Sequence, residues 1–204
     1  KRMKNLLLIM GAIIHPGPIK SKARPASFSV FWCITPWIMV IFDRFIGEKH
    51  SADAYAERGI ILDTGLVIVF TGDGKGKTSA AIGMAVRASG HKMYVSVVQF
   101  IKSPAAGGEA RAAERLSPEI DFISLGKGFV TGAPGSSTRT GHQQAAKEAL
   151  KLAKQRMLAG SWDLLILDEV NNAVHLGLLD LADVMELVKN KPAKLYLVLT
   201  GRDA

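Results

Sequence analysis

The run Thr71-Gly72-Asp73-Gly74-Lys75-Gly76-Lys77-Thr78-Ser79 follows directly on the apolar stretch 66–70 and leaves this chain little freedom in how it folds. A buried strand that empties into a glycine-rich loop, and then into a helix beginning near Lys77, builds a cradle for a polyphosphate. Three glycines let backbone N–H groups converge on phosphate oxygens without Cβ interference. Lys77 adds a point charge, and the Thr78 hydroxyl is placed to ligate the magnesium that travels with nucleotides. The helix that follows turns its positive end toward the same anion. One position departs from the usual pattern G-x-x-x-x-G-K-[ST], which wants glycine where this chain has Thr71. The loop reads Gly72-x-Gly74-x-Gly76-Lys77-Thr78 instead, with Lys75 as a second positive charge. So altered a cradle argues against assuming ordinary hydrolysis between the β- and γ-phosphates.

From Gly59 onward, strand-like apolar runs alternate with helical patterns. Strands are expected over 66–70, 94–100, 120–124, 164–167 and 195–200, and helices over 78–89, 109–116 and 142–158. Asp180 is expected to cap a last helix that ends near Asn190, ahead of Pro192. A glycine-rich loop covers 126–141. Repeated strand–helix–strand units with near-continuous apolar strands imply an α/β fold, a mostly parallel sheet with helices on both faces. The glycine loop makes it a P-loop NTPase of RecA-like architecture. Ligands then gather at the carboxyl ends of the strands. The phosphate loop, residues 99–102, Asp168-Glu169 and Thr200-Gly201-Arg202 should therefore share one rim.

Composition bounds the rest. A chain of 204 residues that is 48% hydrophobic and 22% charged has room for one α/β domain and an appendage. The net charge of +8 is unevenly spread: residues 1–50 carry eight Lys/Arg against Asp43 and Glu48, a net of +6, whereas the remainder holds 18 basic and 16 acidic side chains. A nearly balanced domain argues against nucleic acid as a partner. Cys33 stands alone and fits a reducing compartment, so a cytoplasmic location is expected. The appendage, residues 1–58, is both basic and apolar, and residues 25–42 form a stretch of 18 uncharged residues that includes Pro36. It reads as a membrane anchor, as an apolar extension packed on the domain, or as a mis-assigned start. Residues 59–204 form the nucleotide-binding domain.

The second strong signal is Leu164-Leu165-Ile166-Leu167-Asp168-Glu169. An apolar strand that ends in two acids sets a carboxylate opposite the phosphate loop, where it can hold magnesium directly or through water. Asp168 and Glu169 are therefore metal-site candidates beside Thr78. Several segments then occur in a telling order: Phe70-Thr-Gly-Asp-Gly-Lys-Gly-Lys-Thr-Ser-Ala-Ala, Arg87-Ala-Ser-Gly-His, Val97-Val-Gln-Phe-Ile-Lys102, Gly128-Phe129, Leu167-Asp-Glu169 and Leu199-Thr-Gly-Arg202. Together they resemble the P-loop type of ATP:corrinoid adenosyltransferase, also called cob(I)yrinic acid a,c-diamide adenosyltransferase. The resemblance spans about residues 57–204.

That resemblance implies a transferase acting on the 5′-carbon of ATP. The corrinoid cobalt, reduced to Co(I), attacks C5′ and expels triphosphate, in adenosylcobalamin biosynthesis or salvage. No protein base is needed, because the metal of the substrate is itself the nucleophile. The protein aligns C5′ with cobalt and neutralises the leaving triphosphate. Carried over by position, Gly72, Asp73, Gly74, Lys75, Gly76, Lys77 and Thr78 bind the phosphates, with Ser79 as a supporting hydroxyl. Lys77, Thr78, Glu169 and Phe129 carry the catalytic roles. Thr78 and Glu169 hold Mg2+, with Asp168 as neighbour or ligand. Phe129 matches an aromatic in the loop that covers the corrinoid, and Arg87, Arg139 and Arg202 match family arginines near the ligands. Two positions beyond the aromatic, where the family often has tryptophan, stands Thr131. A flavoprotein reductant and a homodimer are further family implications. Family members continue past the Thr-Gly-Arg strand with elements that help close the site, so a domain lacking those elements is expected here.

Two other functions compete on the residues alone. One is a generic RecA-like NTPase that hydrolyses ATP, and the other is a membrane-associated nucleotide-binding module resting on 25–42. The remaining conspicuous side chains have structural readings. His91 sits at a helix end, His142 and His175 lack metal-spaced partners, Trp162 packs beneath the fourth strand, and Met157 belongs to a helical core stripe. For Gln99 and Lys102, a site role and simple strand-end solvation stand equally open.

Overall fold

Valine, leucine and isoleucine fill strand after strand with hardly a polar interruption, and the structure uses both sides of each. The computed structural model describes residues 64–204, except 105, 106, 134 and 203, together with the backbone of Val30–Phe31 and Met39–Asp43. In chain order the elements are β1 (Val30–Phe31), β2 (Met39–Asp43), β3 (Val67–Thr71), α1 (Lys77–Gly90), β4 (Val95–Gln99) and α2 (Gly108–Glu114). They continue with β5 (Ile120–Ser124), α3 (Ser137–Leu158), β6 (Leu164–Asp168), α4 (Val170–His175), α5 (Leu181–Lys189) and β7 (Tyr196–Thr200). The sheet order is β1-β2-β3-β7-β6-β4-β5. The five strands β3, β7, β6, β4 and β5 are parallel, in registers such as Val67 with Leu197 and Val97 with Ile166. β1 and β2 add antiparallel pairings outside β3.

Alternation along the strands splits the core into two layers. Val67 and Val69 face one side, with Val98, Leu165, Leu167, Leu197 and Leu199, against α3, α4 and α5. Ile68 and Phe70 face the other, with Val95, Val97, Ile166 and Val198, against α1 and α2. That is the arrangement in which strands bury both faces and lose the polar alternation of a half-exposed sheet. Alanines set the helix distance. Ala81, Ala85 and Ala88 of α1, and Ala145, Ala146, Ala149 and Ala153 of α3, are buried against the strands. Trp162 is partly buried against the α3 layer, and the Arg156 guanidinium lies 4.9 Å from its ring centre.

The α/β reading with a parallel sheet covered on both faces stands. Two local differences have physical reasons. α3 begins at Ser137, five residues before the expected 142, because the Ser136 hydroxyl accepts from Arg139 N–H and caps the helix across Gly141. α4 has no counterpart among the expected elements. It is six residues long and contains Asn171 and Asn172, too short and too weak in helix propensity to show as a period. Asp180 does cap α5, its carboxylate accepting from Ala182 N–H at 3.1 Å. The readings of residues 1–58 and of the apolar stretch 25–42 lie outside the described residues, apart from the backbone of β1 and β2. Among the described residues no helix is long and apolar enough to cross a membrane.

Candidate active site

Because β3, β4, β6 and β7 run parallel, their carboxyl ends open on one edge, and the expected rim forms there. The phosphate loop leaves β3 with its glycines where the backbone requires them. Gly72 and Gly76 have φ of 115° and 108°, left-handed values that a Cβ disfavours. Thr71 is still in β3 and buried, and its Oγ1 accepts from Ala204 N–H at 3.0 Å. Thr71 keeps the extended backbone of β3, a conformation that does not call for glycine, and the first left-handed residue is Gly72. Gly76 is the N-cap of α1 and gives the helix no side-chain cap. The first amides of α1 therefore remain available to an anion. Lys77 Nζ lies over the loop and donates to the carbonyls of Gly72 at 2.5 Å and Gly74 at 2.6 Å. Asp73, Lys75 and Ser79 are exposed around it.

Asp168 is the hub of the rim. It is fully buried, and both carboxylate oxygens are engaged. Oδ1 accepts from Thr78 Oγ1 at 2.8 Å and from Thr200 Oγ1 at 2.7 Å, and Oδ2 accepts from Gln99 Nε2 at 2.8 Å. Gln99 is oriented in turn by Ser124, whose hydroxyl donates to Gln99 Oε1 at 2.7 Å. Helix α1 and strands β4, β5, β6 and β7 are thereby joined by one polar chain, buried at Gln99, Asp168 and Thr200. Thr78 spends its proton on Asp168, so its oxygen lone pairs stay available for a cation.

Glu169 differs from its neighbour. Its φ of 63° is left-handed, uncommon for a residue with a Cβ, and its N–H donates to Thr200 Oγ1 at 2.9 Å. Burial raises the pKa of its carboxyl above the ordinary value, the charge of Asp168 raises it further, and Lys102, Lys77 and Arg202 oppose the rise. A half-buried Glu169 carboxyl, next to the buried Asp168 and beside a hydroxyl with free lone pairs, is a donor set suited to a small hard cation, which also takes phosphate oxygens and water. Among the described residues no group of three or more His, Cys, Asp or Glu converges as a metal-holding cluster.

Lys102 lies on the same rim, 2.7 Å from Glu109 Oε1. Burial pulls its pKa down, but the hydrogen bond to Glu109 and the charges of Asp168, Glu109 and Glu169 outweigh that and raise it. Glu109 is shifted down, first by its hydrogen bond from Lys102. Arg202 is held where β7 meets α4, its N–H donating to Asn172 Oδ1 at 2.7 Å. The preceding Gly201 is required by close approach, since a Cβ there would lie 2.7 Å from Asn171 Cβ.

The loop after β5 is anchored at its base and again through Val130, which is partly buried against the α3 layer of the core. Gly126 packs directly on the Ile101 backbone, and Gly128 N–H donates to Ile101 O at 2.8 Å. Phe129 beyond it is 95% exposed, and Thr131 is exposed as well. Arg139, in the first turn of α3, is turned toward the α4 end, where its Nη2 donates to Leu176 O. Arg87 is on the last turn of α1, exposed, and its ten-residue separation from Lys77 is about 15 Å of helix rise away from the loop. Lys77, Thr78, Asp168, Glu169 and Arg202 are therefore brought together, while Arg87 is not.

Residues 63–204 match the sequence profile of the ATP:corrinoid adenosyltransferases BtuR/CobO/CobP. The chain belongs to this family. Its relatives include corrinoid adenosyltransferases of Pseudomonas aeruginosa, 39% identical over 77% of this chain and 73% of the relative, and of Escherichia coli K12, 37% identical over 76% and 74%. The corrinoid adenosyltransferase CobA of Salmonella typhimurium is 38% identical over 76% of this chain and 74% of its own. Within this member of the family, the sequence carries no motif for Ser124, supports two readings of Gln99, and offers Thr200 as one of several rim residues. A polar residue closing an apolar parallel strand (Gln99 after Val98, Thr200 after Leu199) was the available signal.

Proposed function

We propose that this chain transfers the 5′-deoxyadenosyl group of ATP to the Co(I) of a corrinoid substrate and releases triphosphate. The electron pair of Co(I) forms the cobalt–carbon bond at C5′, and the C5′–O bond breaks with its electrons leaving on the triphosphate. The observation that carries this reading is the Thr78–Asp168 hydrogen bond at 2.8 Å, which closes the phosphate loop on the acidic strand end inside a family-matched region.

The residues divide the work by charge. Backbone amides of Gly72–Thr78 and the ammonium groups of Lys75 and Lys77 take the polyphosphate. Lys77 exchanges its carbonyl partners within the loop for phosphate oxygens as the nucleotide enters. Thr78 and Glu169 would hold Mg2+, with Asp168 behind them as the acceptor that fixes Thr78. A cation held there would supply positive charge to offset the negative charge that builds on the leaving triphosphate. Arg202 and Lys102 flank the acidic pair and suit the charged ends of the substrates. Phe129 offers an apolar surface to the corrinoid. The cobalt must arrive as Co(I), so an electron donor is a partner, and a flavoprotein has the required one-electron chemistry.

The test is anaerobic incubation of the protein with MgATP, a chemical reductant and cob(I)alamin. Adenosylcobalamin should appear in the visible spectrum with one equivalent of triphosphate, and Lys77→Ala should weaken ATP binding by about 10-fold or more, the scale of a lost charge-assisted phosphate contact. Orthophosphate release over an unalkylated corrinoid would mean hydrolysis and would end the transferase reading.

A further inference from the structure

Thr200 closes β7, between the strand that carries the phosphate loop and the strand that carries the acids. It is fully buried, and the three residues before it, Leu197, Val198 and Leu199, are aliphatic. A hydroxyl at such a place is costly to bury unless it is bonded, and this one is bonded twice. It donates to Asp168 Oδ1 at 2.7 Å and accepts from Glu169 N–H at 2.9 Å. The two bonds fix each other's direction. An amide can only donate and a carboxylate can only accept, so the single hydroxyl proton must point to Asp168. The residue that this hydroxyl grips, Glu169, holds a left-handed φ of 63° without being glycine. Such a conformation persists only where its surroundings over-determine it.

We propose that Thr200 is a positioning residue: its hydroxyl locks the left-handed Glu169 backbone to the Asp168 carboxylate and so aims the Glu169 carboxylate at the cation that accompanies ATP. The proposal rests on the reading of this rim as a MgATP site. Its force comes from the shape of valine. Valine matches threonine in outline and suits a buried strand better, yet it can neither accept from Glu169 N–H nor donate to Asp168. Serine keeps both bonds and loses only a methyl group.

The decisive measurement is the ratio of ATP dissociation constants in EDTA and in Mg2+, for the wild type, Thr200→Val and Thr200→Ser, by calorimetry. Loss of a group that orients a metal ligand commonly costs 10- to 100-fold in metal affinity or activity, so Thr200→Val should reduce the Mg2+-dependent gain in ATP affinity by about 10-fold. Affinity in EDTA should stay within about 2-fold of wild type, and Thr200→Ser should keep the wild-type gain. An unchanged gain in Thr200→Val, or an equal loss in Thr200→Ser, overturns the proposal. So does a loss of the same size in EDTA and in Mg2+, which would mark a packing role. If Thr200→Val does not fold, Thr200→Ala carries the same comparison, and a lost gain in Thr200→Ser alone still overturns it. A wild type with no Mg2+-dependent gain sinks the cation reading and the proposal with it, whereas a wild-type gain that Thr200→Val retains sinks only the proposal.

Discussion

At the scale of single residues, the site is governed by the need to satisfy one buried carboxylate. Asp168 has no water to turn to, and its three donors come from α1, β4 and β7. Gln99 is the least replaceable in chemical kind, because its amide donates to Asp168 and its carbonyl oxygen accepts from Ser124 at once. Gln99→Leu, close in size, leaves Asp168 Oδ2 without its donor and Ser124 without its acceptor. An unsatisfied buried polar group costs about 1–3 kcal/mol. The variant should therefore lower unfolding free energy by about 2 kcal/mol in urea melts and loosen the hold on Thr78, weakening ATP binding in parallel. A melt midpoint equal to wild type would show that Asp168 recruits another partner. The two acids and the loop residues were legible in the sequence because each belongs to a short local pattern. Gln99, Ser124 and Thr200 were not, because their roles exist only once strands distant in sequence lie side by side.

At the scale of elements, the contrast is between signals that are long and signals that are short. Strands β3, β4, β6 and β7 were legible to within a residue or two, since burial on both faces leaves nearly unbroken apolar runs. The start of α3 was obscured by Gly141, Thr138 and Thr140, weak helix formers whose cost is met by the Ser136 cap and by tertiary packing. One element contact makes a pH prediction. The Lys102–Glu109 pair joins the loop after β4 to the first turn of α2. Glu109 has a lowered pKa, so its contribution is present above the ordinary carboxylate range and is lost as pH falls through the lowered value. Lys102 has a raised pKa, so its contribution is present below the ordinary lysine value and is lost as pH rises through the raised one. Between those limits Glu109→Gln should cost about 0.5 kcal/mol, the scale of a solvent-screened ion pair. Urea melts at neutral pH and at a pH below the Glu109 value should show the gap from wild type closing on acidification. A gap that persists unchanged in acid would assign the cost to packing of α2 instead.

At the scale of the whole molecule, the two halves of the proposed reaction fall to parts tied into the fold in very different ways. The ATP side is tied through Asp168 to α1 and to strands from across the sheet. The side proposed to meet the corrinoid is one loop held at Gly126, Gly128 and Val130, with the Phe129 ring between the last two exposed to solvent. A ring that is 95% exposed adds almost nothing to folding, so Phe129→Ala tests the proposed corrinoid contact apart from stability. Phe129→Ala should leave the unfolding midpoint within about 0.5 kcal/mol of wild type. ATP affinity should be unchanged too, because the ring touches neither the phosphate loop nor the acidic pair. Adenosyl transfer should fall by about 10-fold, a loss of about 1.4 kcal/mol in transition-state binding. The decrease should be read in stopped-flow spectra of the corrinoid at saturating MgATP, and Phe129→Trp, which keeps an apolar ring at that place, should recover most of it. A transfer rate unaffected by Phe129→Ala would detach the loop from the corrinoid. The apolar cover would then have to come from elsewhere in the chain.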